Sequence, residues 1–134
     1  MAEPAILQNQ PAESEDQRSR IARMVMQLFG HWQISTDEQL ELLGLRPKSR
    51  AVLSRYRRGE PLPLVRDMLD RAAYLLAIHR SLRTLYPENP EICYGWVKMR
   101  NRALGNLTPL EVMLKEGLLG LAKVSRHLDV RLTR

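Results

Sequence analysis

The apolar positions of the chain fall in helical spacing over most of its length. From Asp16 onward, Ile21, Val25, Leu28, Phe29 and Trp32 recur at i, i+4, i+7, i+8 and i+11, the period of one helix face. Ser35 or Thr36 then offers an N-cap, Leu40 and Leu43 an apolar face and Gly44 a stop, which predicts a short second helix over 37–43. Pro47 suits a helix start, and Gly59, Pro61 and Pro63 end any helix, so the stretch between them is predicted as a third helix of about three turns. The stretch 64–86 carries Met68, Leu69, Ala72, Leu75, Leu76, Leu82 and Leu85 on one broad stripe, a long fourth helix stopped by Pro87 and Pro90. A short helix carrying Trp96 and a loop over 101–106 follow. The segment Thr108-Pro109-Leu110-Glu111 then has the form of a capping box opening a helix that Gly117 closes. Leu121, Val124, Leu128 and Leu132 line a last helix. The expected fold class is all-α.

Polar stretches set the expected organisation. Residues 1–15 are rich in Ala, Pro, Gln and Glu, show no period and read as a flexible tail, because they carry too little apolar surface to offset the entropy of ordering. The prolines at 87 and 90 mark a seam, giving a first domain over 16–86 and a second over 87–134. With 134 residues the chain is one ordinary domain's worth of sequence, which excludes a large multidomain enzyme. A hydrophobic fraction of 44% with only 5% aromatic residues disfavours a β-sandwich.

Charge changes the picture more. The formal net charge is +6, and residues 46–60 alone hold six bases against Glu60, or +5. A further +3 lies over 117–134, and the rest nearly cancels. A short helix, a Gly-containing turn and a second helix loaded with cations is the sequence form of a helix-turn-helix, whose second helix enters the major groove of DNA. On a helical wheel, Ser54, Arg57 and Arg58 fall within about 80° of Arg50, and Val52, Leu53 and Tyr56 gather in the arc between about 200° and 300° from it. Lys48, Ser49, Arg50 and Ser54 are the candidates for base edges, because such helices read bases with their N-terminal residues. Arg55, Arg57 and Arg58 are candidates for phosphates. No acidic partner is expected on that face; the bland alternative is a solvated basic surface.

Chemistry of other kinds finds little support. His31, His79 and His127 are each 48 residues apart, and Cys93 is the single thiol, so neither a metal site nor a disulfide is expected. Ser125, His127 and Asp129 cannot form a triad on a helix, where i and i+2 point about 200° apart. No Gly-rich phosphate loop is present. Catalytic residues, metals and cofactors are therefore all expected to be none. Cys93 reads as a small buried hydrophobe and Trp96 as core. The start lacks the features of a signal peptide and no run suits a membrane span, so a cytoplasmic protein is expected, nucleoid-associated when on DNA.

Two segments resemble a known family. Leu42-Leu43-Gly44-Leu45 followed by 49–61, with Tyr56 and Gly59-Glu60-Pro61, resembles the Xre-type helix-turn-helix. Downstream, Trp96, Asn101, Leu104-Gly105, Thr108-Pro109-Leu110-Glu111, Gly117, Val124 and Leu128 resemble the Xre/MbcA/ParS toxin-binding domain. The resemblance implies a helix-turn-helix bundle joined by a long helix to a small helical toxin-binding domain. It also implies a type II antitoxin that neutralises a RES-domain, NAD-degrading toxin, represses its own operon and forms a homodimer within a hetero-oligomeric complex. The family more often has Gly-Gly where this chain has Gly105-Asn106; Asn tolerates left-handed backbone, so the turn is expected to survive. Nothing folded is expected after Leu132. The end, 129–134, is a candidate plug for the toxin's cleft, the alternative being a frayed helix end; Arg126, Arg131, Leu132, Thr133 and Arg134 are the toxin-facing candidates. Two other readings stay open: a transcriptional regulator without a toxin, and a pure protein-interaction module.

Overall fold

The computed structural model describes residues 14–133, and among them it contains seven α-helices and no strand. The expected tail therefore lies outside the described residues except at its end, where Ser14 caps the first helix and Glu15 begins it. That helix, α1 (Glu15–Trp32), opens with the Ser14 side chain accepting from the Gln17 N–H at 3.2 Å and ends at Gln33, which takes left-handed backbone with φ 53°. α2 (Thr36–Leu42) opens with a reciprocal cap. The Glu38 N–H donates to Ser35 Oγ at 3.1 Å, and the Ser35 N–H donates to Glu38 Oε1 at 2.8 Å.

The third helix differs from expectation. Residues Pro47–Ser49 form a separate 3-10 turn, and α3 proper is Arg50–Arg57. Neither Arg46 nor Ser49 supplies a side-chain cap, so the entry tightens into i→i+3 geometry, with the Ser49 N–H donating to the Arg46 carbonyl at 2.9 Å. α4 (Arg66–Leu85) starts two residues later than the pattern suggests. The Val65 N–H is already taken by the Pro63 carbonyl at 2.8 Å, and Leu64 and Val65 remain exposed. α5 (Pro90–Gly95) precedes Trp96, which sits in a 3-10 turn rather than in the helix itself. α6 (Pro109–Glu116) and α7 (Leu118–Leu132) complete the chain.

α4 is the axis of the molecule. It packs against α1 on one side and α7 on the other, and Ala72, Leu75, Ile78 and Leu82 are wholly excluded from solvent. One continuous apolar cluster runs from Ile21 and Phe29 through Leu53 and Leu75 to Val112 and Leu128. The seam at Pro87 is thus a change of direction, not a break in the core. α6 and α7 cross so closely that a Cβ at Gly120 would collide with the Val112 carbonyl oxygen. That contact fixes which face of α7 turns inward: Gly120, Leu121, Val124, Ser125 and Leu128 are buried. Leu132, expected on the same face, is 38% exposed, because α7 has run past the body it packs on.

Candidate functional site

The basic helix is anchored by its apolar face and leaves its cations outside. Leu53 is completely buried, and Tyr56, 3% exposed, points its hydroxyl at Met68 Sδ of α4, 3.9 Å away. Burial, with the Glu60 carboxylate nearby, raises the Tyr56 pKa, so the phenol stays neutral and serves as a wedge. The turn before α3 needs Gly44, whose φ of +73° is left-handed. A side chain there would also press on Arg71 of α4, whose guanidinium is held by Asp67 at 2.8 Å. Arg71 Nη1 donates to the carbonyls of Glu41 and Leu42 at 3.3 and 3.4 Å, satisfying the C-terminal end of α2. Past α3, the Ser19 hydroxyl donates to the Gly59 carbonyl and Arg18 Nη1 to the Leu62 carbonyl at 3.1 Å, strapping the exit to α1.

On this scaffold Lys48, Arg50, Ser54, Arg55, Arg57 and Arg58 are exposed and Ser49 is half-buried. The seven expected contact residues therefore lie on one short turn and one helix. Lys48 and Ser49 stand on the 3-10 turn, and Arg50 is the first residue of α3. The expectation that the face has no acidic partner is corrected at one position: Arg55 Nε lies 3.2 Å from the Glu60 carboxylate, because the left-handed turn at Gly59 folds Glu60 back along the helix. Arg58 Nη1 donates to Ser54 Oγ at 2.9 Å, which ties a phosphate candidate to a base candidate. Of the six bases over 46–60, Arg46, Lys48, Arg50, Arg57 and Arg58 have no ion-pair partner among the described residues, the hydrogen bond of Arg58 to a neutral hydroxyl leaving its charge in place. These five are open to a polyanion.

The second half is built around a loop. Asn101 Oδ1 accepts from the Ala103 N–H at 2.9 Å, the Asn101 N–H donates to the Leu107 carbonyl at 3.0 Å, and the Asn106 N–H donates back to the Asn101 carbonyl at 3.0 Å. Two successive left-handed residues close the turn, Gly105 at φ 69° and Asn106 at φ 65°. The Asn in place of a second glycine thus keeps the required conformation. Asn101 Nδ2 lies 3.5 Å from His127 Nε2, and the His127 ring stacks on Trp96 at 6.1 Å between centroids. Burial lowers the His127 pKa, and Arg131 adds to the effect. Thr108 and Glu111 form the expected reciprocal cap, at 3.0 and 2.8 Å. Trp96 and Cys93 are buried, as their types suggested.

The toxin-facing candidates separate. Arg126 is exposed on α7. Arg131 is committed within the chain: its Nη2 donates to the Tyr86 hydroxyl at 2.9 Å, with the guanidinium 5.8 Å from the ring centroid. Leu132 and Thr133 are exposed, the Thr133 hydroxyl returning to the Val130 carbonyl at 3.1 Å, and Arg134 lies outside the described residues. Asp129 to Leu132 are helical, so the segment expected as a plug is helix up to Leu132.

One arrangement escaped the sequence reading. The ring of Tyr94 of α5 stacks on those of His31 of α1, with centroids 4.3 Å apart, and His79 of α4, with centroids 5.8 Å apart, both nearly parallel to it. The three residues are far apart in sequence, and only the return of α5 onto α1 and α4 joins them.

Two family models match in tandem. The antitoxin Xre-like helix-turn-helix domain covers residues 18–77, and the antitoxin Xre/MbcA/ParS C-terminal toxin-binding domain covers residues 81–131. The chain belongs to the Xre/MbcA/ParS antitoxins. The two matches meet inside α4, the helix that both halves share. No curated protein gives a significant match. In this antitoxin the basic helix α3 lies in the first match and the Asn101 loop, α6 and α7 lie in the second.

Proposed function

We propose that the chain is the antitoxin of a type II pair, binding a RES-domain, NAD-degrading toxin through its C-terminal half and repressing its own operon through α3. The observation that carries this reading is the run of five cations without an ion-pair partner among the described residues, Arg46, Lys48, Arg50, Arg57 and Arg58, on α3 and the turn that leads into it, which share one core with a toxin-binding domain. No ion pair among the described residues uses those cations. A polyanion would, because each phosphate neutralised releases a condensed counterion.

In this account Lys48 and Arg50, at the start of α3, meet base edges, and Arg57 meets phosphate. Ser49 sits beside them on the entry turn. Ser54 and Arg58 act as a hydrogen-bonded unit, and Arg55, already neutralised by Glu60, contributes least. A dimer of the chain reads an inverted repeat with half-sites about 34 Å apart or a multiple of that. Toxin neutralisation is by occlusion: the antitoxin supplies a surface and no catalytic group, metal or cofactor. The proteins act in the cytoplasm, on the nucleoid when bound to the operator.

The test is direct. The chain is titrated against the DNA upstream of its own gene over a range of salt, and separately co-purified with a RES-domain toxin encoded in the same operon. A steep fall of affinity with salt together with a stable toxin complex supports the reading. DNA binding with no toxin complex leaves a plain regulator, and a toxin complex with salt-indifferent DNA binding leaves a pure interaction module.

A further inference from the structure

We infer that the outward stripe of α7, Leu119, Lys123, Arg126 and Val130, is the docking face for the toxin, and that it fits a protein surface presenting a carboxylate between two apolar side chains. The inference rests on the antitoxin reading above and places the contact on the helix face rather than at the chain's end. These four residues stand at i, i+4, i+7 and i+11, within about 40° of Leu119 around the helix. All four are exposed, Leu119 by 67% and Val130 by 44%. The collision that would follow any side chain at Gly120 locks the opposite face against α6, so α7 cannot rotate to bury them.

The stripe is about 16 Å long at 1.5 Å per residue. Grooves flank it on both sides, one floored by Leu104 and Leu107, the other by Tyr74 and Ala122, and Arg126 lines both. The charges decide the partner. Lys123 is neutralised by Glu116 at 2.8 Å, whereas Arg126 has no ion-pair partner among the described residues. One open guanidinium between two exposed aliphatic side chains suits an acidic, partly apolar protein face and not the continuous phosphate of DNA. The stripe lies wholly inside the segment matched as toxin-binding, and α7 packs on α4 and α6 while α3 packs on α1 and α2.

Two variants test it with the full chain and the RES-domain toxin of the same operon: Leu119→Glu with Arg126→Glu, and the milder Arg126→Ala. Folding is checked by helical content and by retained operator binding. The double variant is expected to bind toxin about a hundredfold more weakly and Arg126→Ala about tenfold, both with unchanged DNA affinity. Toxin affinity unchanged in both variants overturns the stripe and leaves the antitoxin reading standing. Loss of self-association in the double variant with toxin binding intact also overturns it, by showing that a second copy covers the face. A wild-type chain that binds no toxin overturns the antitoxin reading and the docking face with it.

Discussion

Single residues at turns and caps hold this fold, and their consequences are measurable. Gly105 and Asn106 both have positive φ, and nothing lies within 4 Å of a Cβ added at Gly105. Gly105→Ala is therefore expected to cost about 1–2 kcal/mol from backbone strain alone, while Asn106→Gly is neutral or mildly stabilising, both read from denaturant midpoints. Thr108→Ala removes the cap of α6 and is expected to cost about 1 kcal/mol. Glu111 accepts from the Thr108 N–H and has its pKa lowered by the backbone and side-chain hydrogen bonds of Thr108. Its contribution is present above the ordinary glutamate pKa and lost as pH falls through the lowered one. This capping box was legible from the spacing of four consecutive residues. The matching box at Ser35 was only half seen, since Glu38 three residues on was there to complete it. Glu60's return onto Arg55 was not legible, because it depends on the direction in which a left-handed Gly59 turns the chain.

Helix existence and type were written in the apolar period, and helix ends were where other forces won. The predicted third helix gave up its first turn because no side chain caps it, and Leu132 stayed in the solvent because periodicity cannot say where a neighbouring element stops. At the level of elements the two histidine contacts make a pH prediction. Burial lowers the His79 pKa, helped by Arg83 and His31, and burial with Arg131 lowers that of His127. The unfolded chain thus takes up protons near pH 6.5 that the folded chain refuses, so stability present above that pH is lost as pH falls further. Urea midpoints are expected to drop between pH 7.5 and 5.5, and His79→Gln is expected to flatten the drop. For α3, Arg50→Ala is expected to weaken operator binding by about 1–3 kcal/mol and relax base preference. Arg57→Ala should weaken all sequences alike and reduce the salt slope, and Arg55→Ala should do least because Glu60 already neutralises that side chain.

Across the whole molecule, α4 joins two binding surfaces within one core. The basic surface was readable as a charge excess in one window, and the family of both halves from short motifs in the right order. The stacking of Tyr94 on two histidines and the exposed stripe of α7 were not readable, since both depend on how α5 and α7 return onto α4. Because α3 and α7 rest on different neighbours, the account predicts separable functions. The most direct measurement is the NAD content and growth of cells expressing the operon's RES-domain toxin together with this chain, either wild type or carrying Arg50→Ala and Arg57→Ala. Both forms are predicted to preserve NAD and restore growth, with only the wild type shifting operator DNA. Cells that lose NAD despite abundant wild-type chain would contradict the account.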